Sequence, residues 1–203
     1  MSLIVVVEGD TDLPIARKLA RDAGLDVSVE IDCAGKSRLD EDLLAYNGAA
    51  KGSPWLVLRD LDNDASCAGA LLRERDFQPS LWMCFRLAIR ELEAWLLADA
   101  KGLSEFLKVD QSMLPSDPDA EGDPTVTLVR LARRSSSSAL RRALVPPQRS
   151  SVPVGPLYEA KIIEFGERHW DLSRACERSE SLRRARRALR ALAARWKLHA
   201  EGK

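Results

Sequence analysis

Two acidic clusters follow short apolar runs, and their side chains are the ones in this chain best suited to metal chemistry. The first cluster lies in Val5–Asp12 (VVVEGDTD) and contains Glu8. The second lies in Leu56–Asp64 (LVLRDLDND) and contains Asp60 and Asp62. Mg²⁺ prefers oxygen ligands in near-octahedral geometry and usually keeps several waters. Two or three converging carboxylates meet that need, so the clusters predict a site for Mg²⁺ or Mn²⁺.

The apolar runs before the clusters must place these carboxylates together. Residues 3–7 (LIVVV) and 55–58 (WLVL) are unbroken rather than alternating, which is typical of strands buried on both faces of a parallel sheet. Right-handed crossovers bring the carboxyl ends of such strands to one edge of the sheet. We therefore expect Glu8 to lie near Asp60 and Asp62.

The roles of the individual carboxylates stay open at this point. On an extended segment, residues two apart point the same way, so Asp60 and Asp62 can face one cation, with Asp64 as a further candidate. Glu8 either completes the metal shell or acts as a general acid or base, with its pKa raised by neighbouring carboxylates. Asp12 either binds the metal or caps the first helix.

A structural explanation of the second cluster competes with the functional one. Asp and Asn are common where strands end because they favour turns and cap helices. Glu8, however, directly precedes Gly9 at a strand end, where it has no capping role of its own. Two acidic clusters at one sheet edge also repel each other unless a cation lies between them. The pair of clusters therefore favours the metal interpretation.

Length and composition indicate a globular chain with a core of ordinary size. The chain has 203 residues, of which 45% are hydrophobic. No apolar run approaches the roughly 18 residues that span a bilayer, and the start MSLIVVVEGD lacks signal-peptide features, so we expect a cytoplasmic protein without membrane contact. The cysteines are widely spaced without a CxxC pair, which favours reduced thiols over zinc or disulfides. They are Cys33, Cys67, Cys84 and Cys176.

The hydrophobic pattern alternates between helix and strand from residue 3 to about residue 107, which predicts an α/β fold with a mostly parallel, Rossmann-like sheet. Gly35-Lys36-Ser37 does not form a phosphate loop, because the earlier glycine at fixed spacing is missing. The other predicted elements are a helix from Thr11 or Asp12 to Gly24, a half-buried strand at Val27–Ile31, a helix around Leu39–Tyr46, a helix at Ala65–Arg75, a strand at Leu81–Phe85 and a helix at Arg90–Asp99.

Three regions are predicted along the chain. Residues 1–108 form the α/β domain, residues 109–156 a loop-rich connector, and residues 157–203 a basic helical region packed on the same domain. The stretches 110–124 and 133–156 look like exposed loops with one short helix between them.

A formal net charge of zero hides a strong asymmetry. Residues 1–132 carry 24 Asp and Glu but 14 Lys and Arg, whereas residues 133–203 carry 7 and 17. The stretch 181–198 has the spacing of an amphipathic basic helix. Its basic face either contacts nucleic-acid phosphates or docks on the acidic body. The residues expected to contact nucleic acid there are Arg183, Arg184, Arg186 and Arg187.

Several motifs together resemble a known family. The EGxTD sequence at Glu8–Asp12, the Asp60-x-Asp62 pair and the α/β pattern between them resemble the Toprim domain shared by topoisomerases, DnaG-type primases and OLD-family nucleases. The OLD-type branch is the most similar, over roughly residues 3–100. RELEAW (Arg90–Trp95), GPLYEAKIIEF and WDLSRACERSESL resemble small stand-alone Toprim-like bacterial proteins over nearly the whole chain.

The Toprim resemblance implies magnesium-dependent phosphodiester hydrolysis. Glu8 would be a general acid or base or a ligand, Asp60 and Asp62 would be ligands, and Asp12 matches the extra acidic position of the OLD-type motif. By analogy two metals could share the site. OLD-type nucleases carry an ATPase segment that this sequence lacks, so the resemblance implies a separate ATPase partner in a bacterial defence or repair system.

Further charged residues are candidates for the site. Glu91 and Glu93 are candidate catalytic residues, but two positions apart on a regular helix they point roughly 200° apart and cannot both face one metal. Arg86 and Arg90 either bind a substrate phosphate or neutralise the acidic edge, which is the edge of the sheet where Glu8, Asp60 and Asp62 are expected to meet. Lys161 is a candidate transition-state cation.

Two other classes of function stay open beside a metal-dependent nuclease. One is a non-catalytic module of the same fold that binds nucleic acid or a partner ATPase. The other is a receiver-like or phosphatase-like domain, in which acidic strand ends also hold magnesium. Against the latter, the residues after Asp60 do not form a DxDxT motif. A homo-oligomer is compatible with each of these functions.

Overall fold

The chain forms two compact units in a computed structural model that describes residues 1–202. One unit, here the sheet unit, comprises Met1–Ile89 and the residues from Ser181 onward. The other, here the helical unit, is Arg90–Glu180. The division differs from the three predicted regions, since residues 157–180 belong to the helical unit and the following residues to the sheet unit.

A four-stranded parallel sheet, in the order β2-β1-β3-β4, is the framework of the sheet unit. The predicted α/β class with a parallel sheet is therefore confirmed. The strands are β1 (Ser2–Val7), β2 (Asp26–Asp32), β3 (Trp55–Asp60) and β4 (Met83–Ala88).

The two predicted central strands occupy the middle of the sheet because they are apolar on both faces. Val6 and Val57 pack in one core cluster with Leu39, Leu71 and Phe85. Strand β2 lies at the edge, and the predicted alternation is incomplete, because Val27 and Ile31 are partly buried but Val29 is 46% exposed. Because the two central strands β1 and β3 are buried, their apolar residues determine where each strand ends, and so where the acidic clusters begin.

The fourth strand lies later in the chain than predicted. The apolar run at Leu81–Phe85 suggested the strand, but pairing begins at Met83 and continues through Arg86 to Ala88. Leu81 is instead 59% exposed. The hydrophobic pattern failed here because a polar arginine lies inside the strand.

Helices flank the sheet. In α1, Pro14 lies in the first turn and Gly24, with a φ of +73°, follows the helix end. The residue at the N-cap position is Asp12, but its side chain forms no capping bond to the helix. The helices of the sheet unit are α1 (Leu13–Asp22), α2 (Lys36–Ala49), α3 (Ala68–Glu74) and α10 (Glu180–Glu201).

The helical unit contains more regular structure than its composition suggested. The short helix expected between two loops is present as α6. The predicted loop 133–156, however, contains α7, which begins where the Ser137 side chain accepts a hydrogen bond from the Leu140 amide. The helices are α4 (Glu93–Ala98), α5 (Ala100–Leu107), α6 (Pro124–Arg133), α7 (Ser138–Leu144), α8 (Tyr158–Arg168) and α9 (Leu172–Arg178).

The basic helix α10 docks on the sheet unit, which was one of the two predicted outcomes for it. Its apolar face is buried at Leu182 and Leu189, among others. Arg186 and Arg190 both bind the carboxylate of Asp22 with nitrogen-to-oxygen distances of 2.7–2.9 Å. Two guanidinium groups on one carboxylate therefore join α10 to α1.

Within residues 1–202, no helix has both the length and the apolar character needed to cross a membrane.

Replacing Asp22 with Asn tests how α10 is held. The bonds to Arg186 outweigh burial and keep the pKa of Asp22 below its ordinary value of 3.8. We expect the substitution to lower the free energy of unfolding near pH 7 by about 2 kcal/mol. The extra stability of the wild type over Asp22→Asn is present above pH 3.8. It is lost as the pH falls through the lower pKa that Asp22 has in the folded protein. Urea unfolding at several pH values measures both effects.

The matched control is Asp26→Asn, because Asp26 pairs with the N-terminal amine and its side chain is 90% exposed. That change should cost much less stability than Asp22→Asn, because water and salt screen an exposed ion pair. Equal losses for the two variants would contradict the docking role of Asp22.

Candidate functional site

The ends of β1 and β3 bring Glu8 and Asp60 together. The two strands are neighbours in the sheet, paired from Ile4 to Val6 with the start of β3. The Asp60 amide donates a hydrogen bond of 2.8 Å to Oε1 of Glu8, across 52 positions of sequence. The predicted proximity of these two acidic residues is therefore confirmed.

The Glu8 carboxylate lies in an environment that favours its protonated form. Burial raises the pKa of Glu8 above its ordinary value, and the Asp62 charge adds to that effect. The Asp60 amide and the Arg59 charge oppose it without cancelling it. The direction is the predicted one, but the main cause is burial rather than neighbouring carboxylates. A half-buried glutamate of this kind is suited to proton transfer.

Asp62 faces a cation, but the cation is a lysine of the same chain. The Lys36 ammonium, in the first turn of α2, lies 2.5 Å from Oδ2 of Asp62 and 3.1 Å from Oδ1 of Asp64. These bonds raise the pKa of Lys36, so the ammonium stays charged. Lys36 was missed by sequence reasoning, which had considered it only as part of a rejected phosphate loop.

The predicted extended segment from Asp60 to Asp62 is wrong. Strand β3 ends at Asp60, and Asp62 has a φ of +47°, in the left-handed region. A turn follows, in which the Asp64 amide donates to the carbonyl of Leu61. Asp and Asn tolerate such backbone conformations, so part of the acidic cluster serves the turn itself.

Arg59 is the second residue that sequence reasoning missed. It is the penultimate residue of β3, its side chain is 1% exposed, and it binds both Asp40 and Asp64 at 2.6–2.8 Å. It also donates to the carbonyl of Asp60. Arg59 and Arg75 together hold the pKa of Asp40 below its ordinary value against the effect of burial. An arginine inside the apolar run LVLRD was the signal that could have revealed it.

Asp12 lies at the turn after Glu8. It is 8% exposed, and its Oδ2 accepts a hydrogen bond of 3.3 Å from the Gly9 amide. This bond closes the turn between β1 and α1. Asp12 thus has a structural role in this turn rather than as the predicted cap of α1, and its metal role stays a prediction.

The acidic edge could hold a metal ion only if water and substrate supplied most of its ligands. Among residues 1–202, no three Asp, Glu, His or Cys side chains gather closely enough to hold an ion. Mg²⁺, however, is commonly held by one or two carboxylates, with waters and substrate phosphates completing its shell. Glu8 and Asp60 are the adjacent pair that could serve in this way.

Glu91 and Glu93 belong to the helical unit. The predicted helix over Arg90–Asp99 begins only at Glu93, because Arg90 has a φ of +64°. The argument about opposite helix faces therefore does not apply. Glu91 accepts hydrogen bonds from the amide and hydroxyl of Thr125, at 3.0 and 2.9 Å, in the first turn of α6. A carboxylate at the N-terminus of a helix interacts favourably with the helix dipole.

Glu93 is a carboxylate of the helical unit whose pKa is raised. Burial, with a smaller contribution from the charge on Glu91, raises the pKa of Glu93 to about 7. The Tyr158 hydroxyl lies 3.5 Å from its Oε1. Glu93 can therefore exchange a proton near neutral pH, as its predicted catalytic role requires.

The basic candidates are distributed among several environments. Arg86 lies in β4, and its buried Nε has no hydrogen-bond partner within residues 1–202. Lys161 pairs with Glu164 at 2.6 Å, so it is already neutralised. Arg186 is bound by Asp22. Arg90 lies in the helical unit, directly before Glu91, with a φ of +64°. Exposed positions on α10 hold the other candidates, Arg183, Arg184 and Arg187.

Comparison of the chain with protein-family models, with curated proteins and with solved structures finds no match. The Toprim resemblance consequently stays a prediction, carried by the motifs themselves.

Replacing Arg59 with Met tests whether the buried ion-pair network holds the acidic edge. Asp40 and Asp64 would lose a shared, fully buried partner, so we expect the free energy of unfolding to fall by about 3–5 kcal/mol. Arg75→Gln removes a 34% exposed arginine from the same Asp40 and should cost less than about 1 kcal/mol. Urea unfolding followed by tryptophan fluorescence measures both. A loss below 1 kcal/mol for Arg59→Met would contradict the role of the network.

Proposed function

We propose that this protein hydrolyses phosphodiester bonds with Mg²⁺ or Mn²⁺ as cofactor. The observation that carries the proposal is the half-buried Glu8 carboxylate, held against the Asp60 amide where β1 and β3 end side by side. In parallel α/β sheets, the carboxyl ends of the strands are where ligands bind.

Each residue of the edge has a distinct part in the proposed reaction. Glu8 and Asp60 would hold the metal, and the raised pKa of Glu8 also suits it to donate or accept a proton. When bound, the ion would neutralise phosphate charge and polarise the phosphorus–oxygen bond. Lys36, now bound to Asp62, carries an ammonium that can contact a phosphate oxygen of the substrate.

The Toprim resemblance supplies the biological part of the proposal. It implies a nucleic-acid substrate and a separate ATPase as partner, in a bacterial defence or repair system. We propose the cytoplasm as the compartment.

A second function is favoured by one specific observation. Lys36 bridges Asp62 and Asp64, and Arg59 binds Asp64 as well. Asp62 and Asp64 are thus paired with cationic side chains of the same chain. This arrangement suits a non-catalytic module that keeps the fold and binds nucleic acid or a partner ATPase.

Metal-dependent cleavage by the purified protein tests the first function. Labelled single-stranded and double-stranded DNA and RNA are incubated with the protein in MgCl₂ or MnCl₂, and in EDTA. We expect cleavage only with metal. Asp60→Asn should lower the rate by about 100-fold or more, because it removes a proposed ligand of the ion that would stabilise the transition state.

Asp10→Asn is the matched control, since Asp10 is an exposed carboxylate two positions after Glu8. It should cut at the wild-type rate. Full activity of Asp60→Asn would contradict the proposal. Nucleic-acid binding that survives in Asp60→Asn, without cleavage by any form of the protein, would instead establish the non-catalytic module.

A further inference from the structure

The stretch 124–158 of the helical unit carries positive charges only. It contains no Asp, Glu or Lys, although charged residues make up 31% of the chain. It spans α6, α7 and the proline-rich loop that follows. A surface with one sign of charge attracts polyanions rather than forming internal ion pairs. The arginines of the stretch are Arg130, Arg133, Arg134, Arg141, Arg142 and Arg149.

Part of this stretch forms a groove, here called the arginine groove. Its first section has a volume of about 570 Å³ and is lined by Arg133, Arg141 and Arg142, with an apolar floor from Val145 and three prolines. A second section shares Arg133 and Val145 with the first and extends to Arg149. Cavities of this size accommodate ligands as large as a drug molecule.

Two backbone hydrogen bonds fasten the chain at one side of the groove. The Gly155 amide donates to the carbonyl of Leu144 at 3.0 Å, and the Leu157 amide donates to that of Ala143 at 2.9 Å. A side chain at Gly155 would collide with the backbone at Ala143, so only glycine permits this close approach. The loop is thereby fastened to the end of α7. Such preorganisation reduces the entropy lost when a ligand binds.

The arginines of the groove are available to an external anion. Within residues 1–202, no carboxylate forms an ion pair with Arg133, Arg142 or Arg149, all of which are exposed. On α10, by contrast, Arg186 is engaged by Asp22. The groove is therefore a better candidate for phosphate contact than the face of α10 that Asp22 neutralises.

We propose that the arginine groove binds the backbone of a single-stranded nucleic acid. Guanidinium groups match phosphate oxygens in bidentate geometry, and the valine and proline surfaces beside them can contact sugars and bases. An acidic peptide would match the charge but make less use of the apolar floor. The inference deepens the proposed function, because it rests on nucleic acid being the substrate.

Binding measured without metal separates this inference from catalysis. Fluorescence anisotropy of a labelled oligothymidylate is followed in EDTA, for the full chain, over a range of salt concentrations. Arg133→Gln/Arg142→Gln should weaken binding by about tenfold and reduce the slope of log K against log salt by about 1.4, for two lost phosphate contacts. Lys101→Gln/Arg168→Gln is the matched control, since it removes equal charge from exposed residues outside the groove lining.

The outcomes distinguish the groove from the catalytic proposal. Equal losses in the two variants, or no binding by the wild type, would overturn the inference. Polyglutamate that competes as well as the oligonucleotide would also overturn it, in favour of an acidic peptide. Loss confined to the groove variant, in a protein that cuts nothing, would support the groove while contradicting hydrolysis. If the groove variant binds and cleaves as well as the wild type, the result would support hydrolysis and contradict the groove.

Discussion

The buried guanidinium of Arg59 is the constraint on which the acidic edge depends. A charge that is 1% exposed is tolerated only when it is paired and hydrogen-bonded. Arg59 meets that condition by binding Asp40 of α2, Asp64 after β3 and the Asp60 carbonyl. It thus fixes the turn after β3 and, through the Asp60 amide, the position of Glu8.

The sheet unit and the stretch 124–158 differ in how their charges are compensated, and this contrast underlies the different parts proposed for them. In the sheet unit, acidic residues meet internal cations, as at Asp22 with α10 and at Asp62 with Lys36. The Glu8 carboxylate accepts a hydrogen bond from the Asp60 amide, which holds the ends of β1 and β3 together. In the helical unit, the stretch 124–158 has no acidic residue to neutralise its arginines. The first arrangement suits chemistry at a defined point, and the second suits capture of a polyanion.

The sequence predicted the sheet and the meeting of Glu8 with Asp60, because unbroken apolar runs and parallel topology determine both. It could not predict the pair formed by Lys36 and Asp62, which are 26 positions apart and meet only in the folded chain. Helix α7 was missed because its serine-rich start resembles a loop, although Ser137 caps it. Local composition carries no information on which partner neutralises a charge. Arg186 was therefore predicted to contact nucleic acid, whereas in the structure it binds Asp22.

Calorimetric titration of Mg²⁺ and Mn²⁺ tests the metal site most directly. It compares wild type, Glu8→Gln/Asp60→Asn and Asp10→Asn, with and without a phosphorothioate oligonucleotide that resists cleavage. If Glu8 and Asp60 hold the ion, saturable binding by the protein will appear at least with the oligonucleotide. It will persist in Asp10→Asn and vanish in the double variant. Equal heats in the wild type and the double variant would contradict a metal site at this edge.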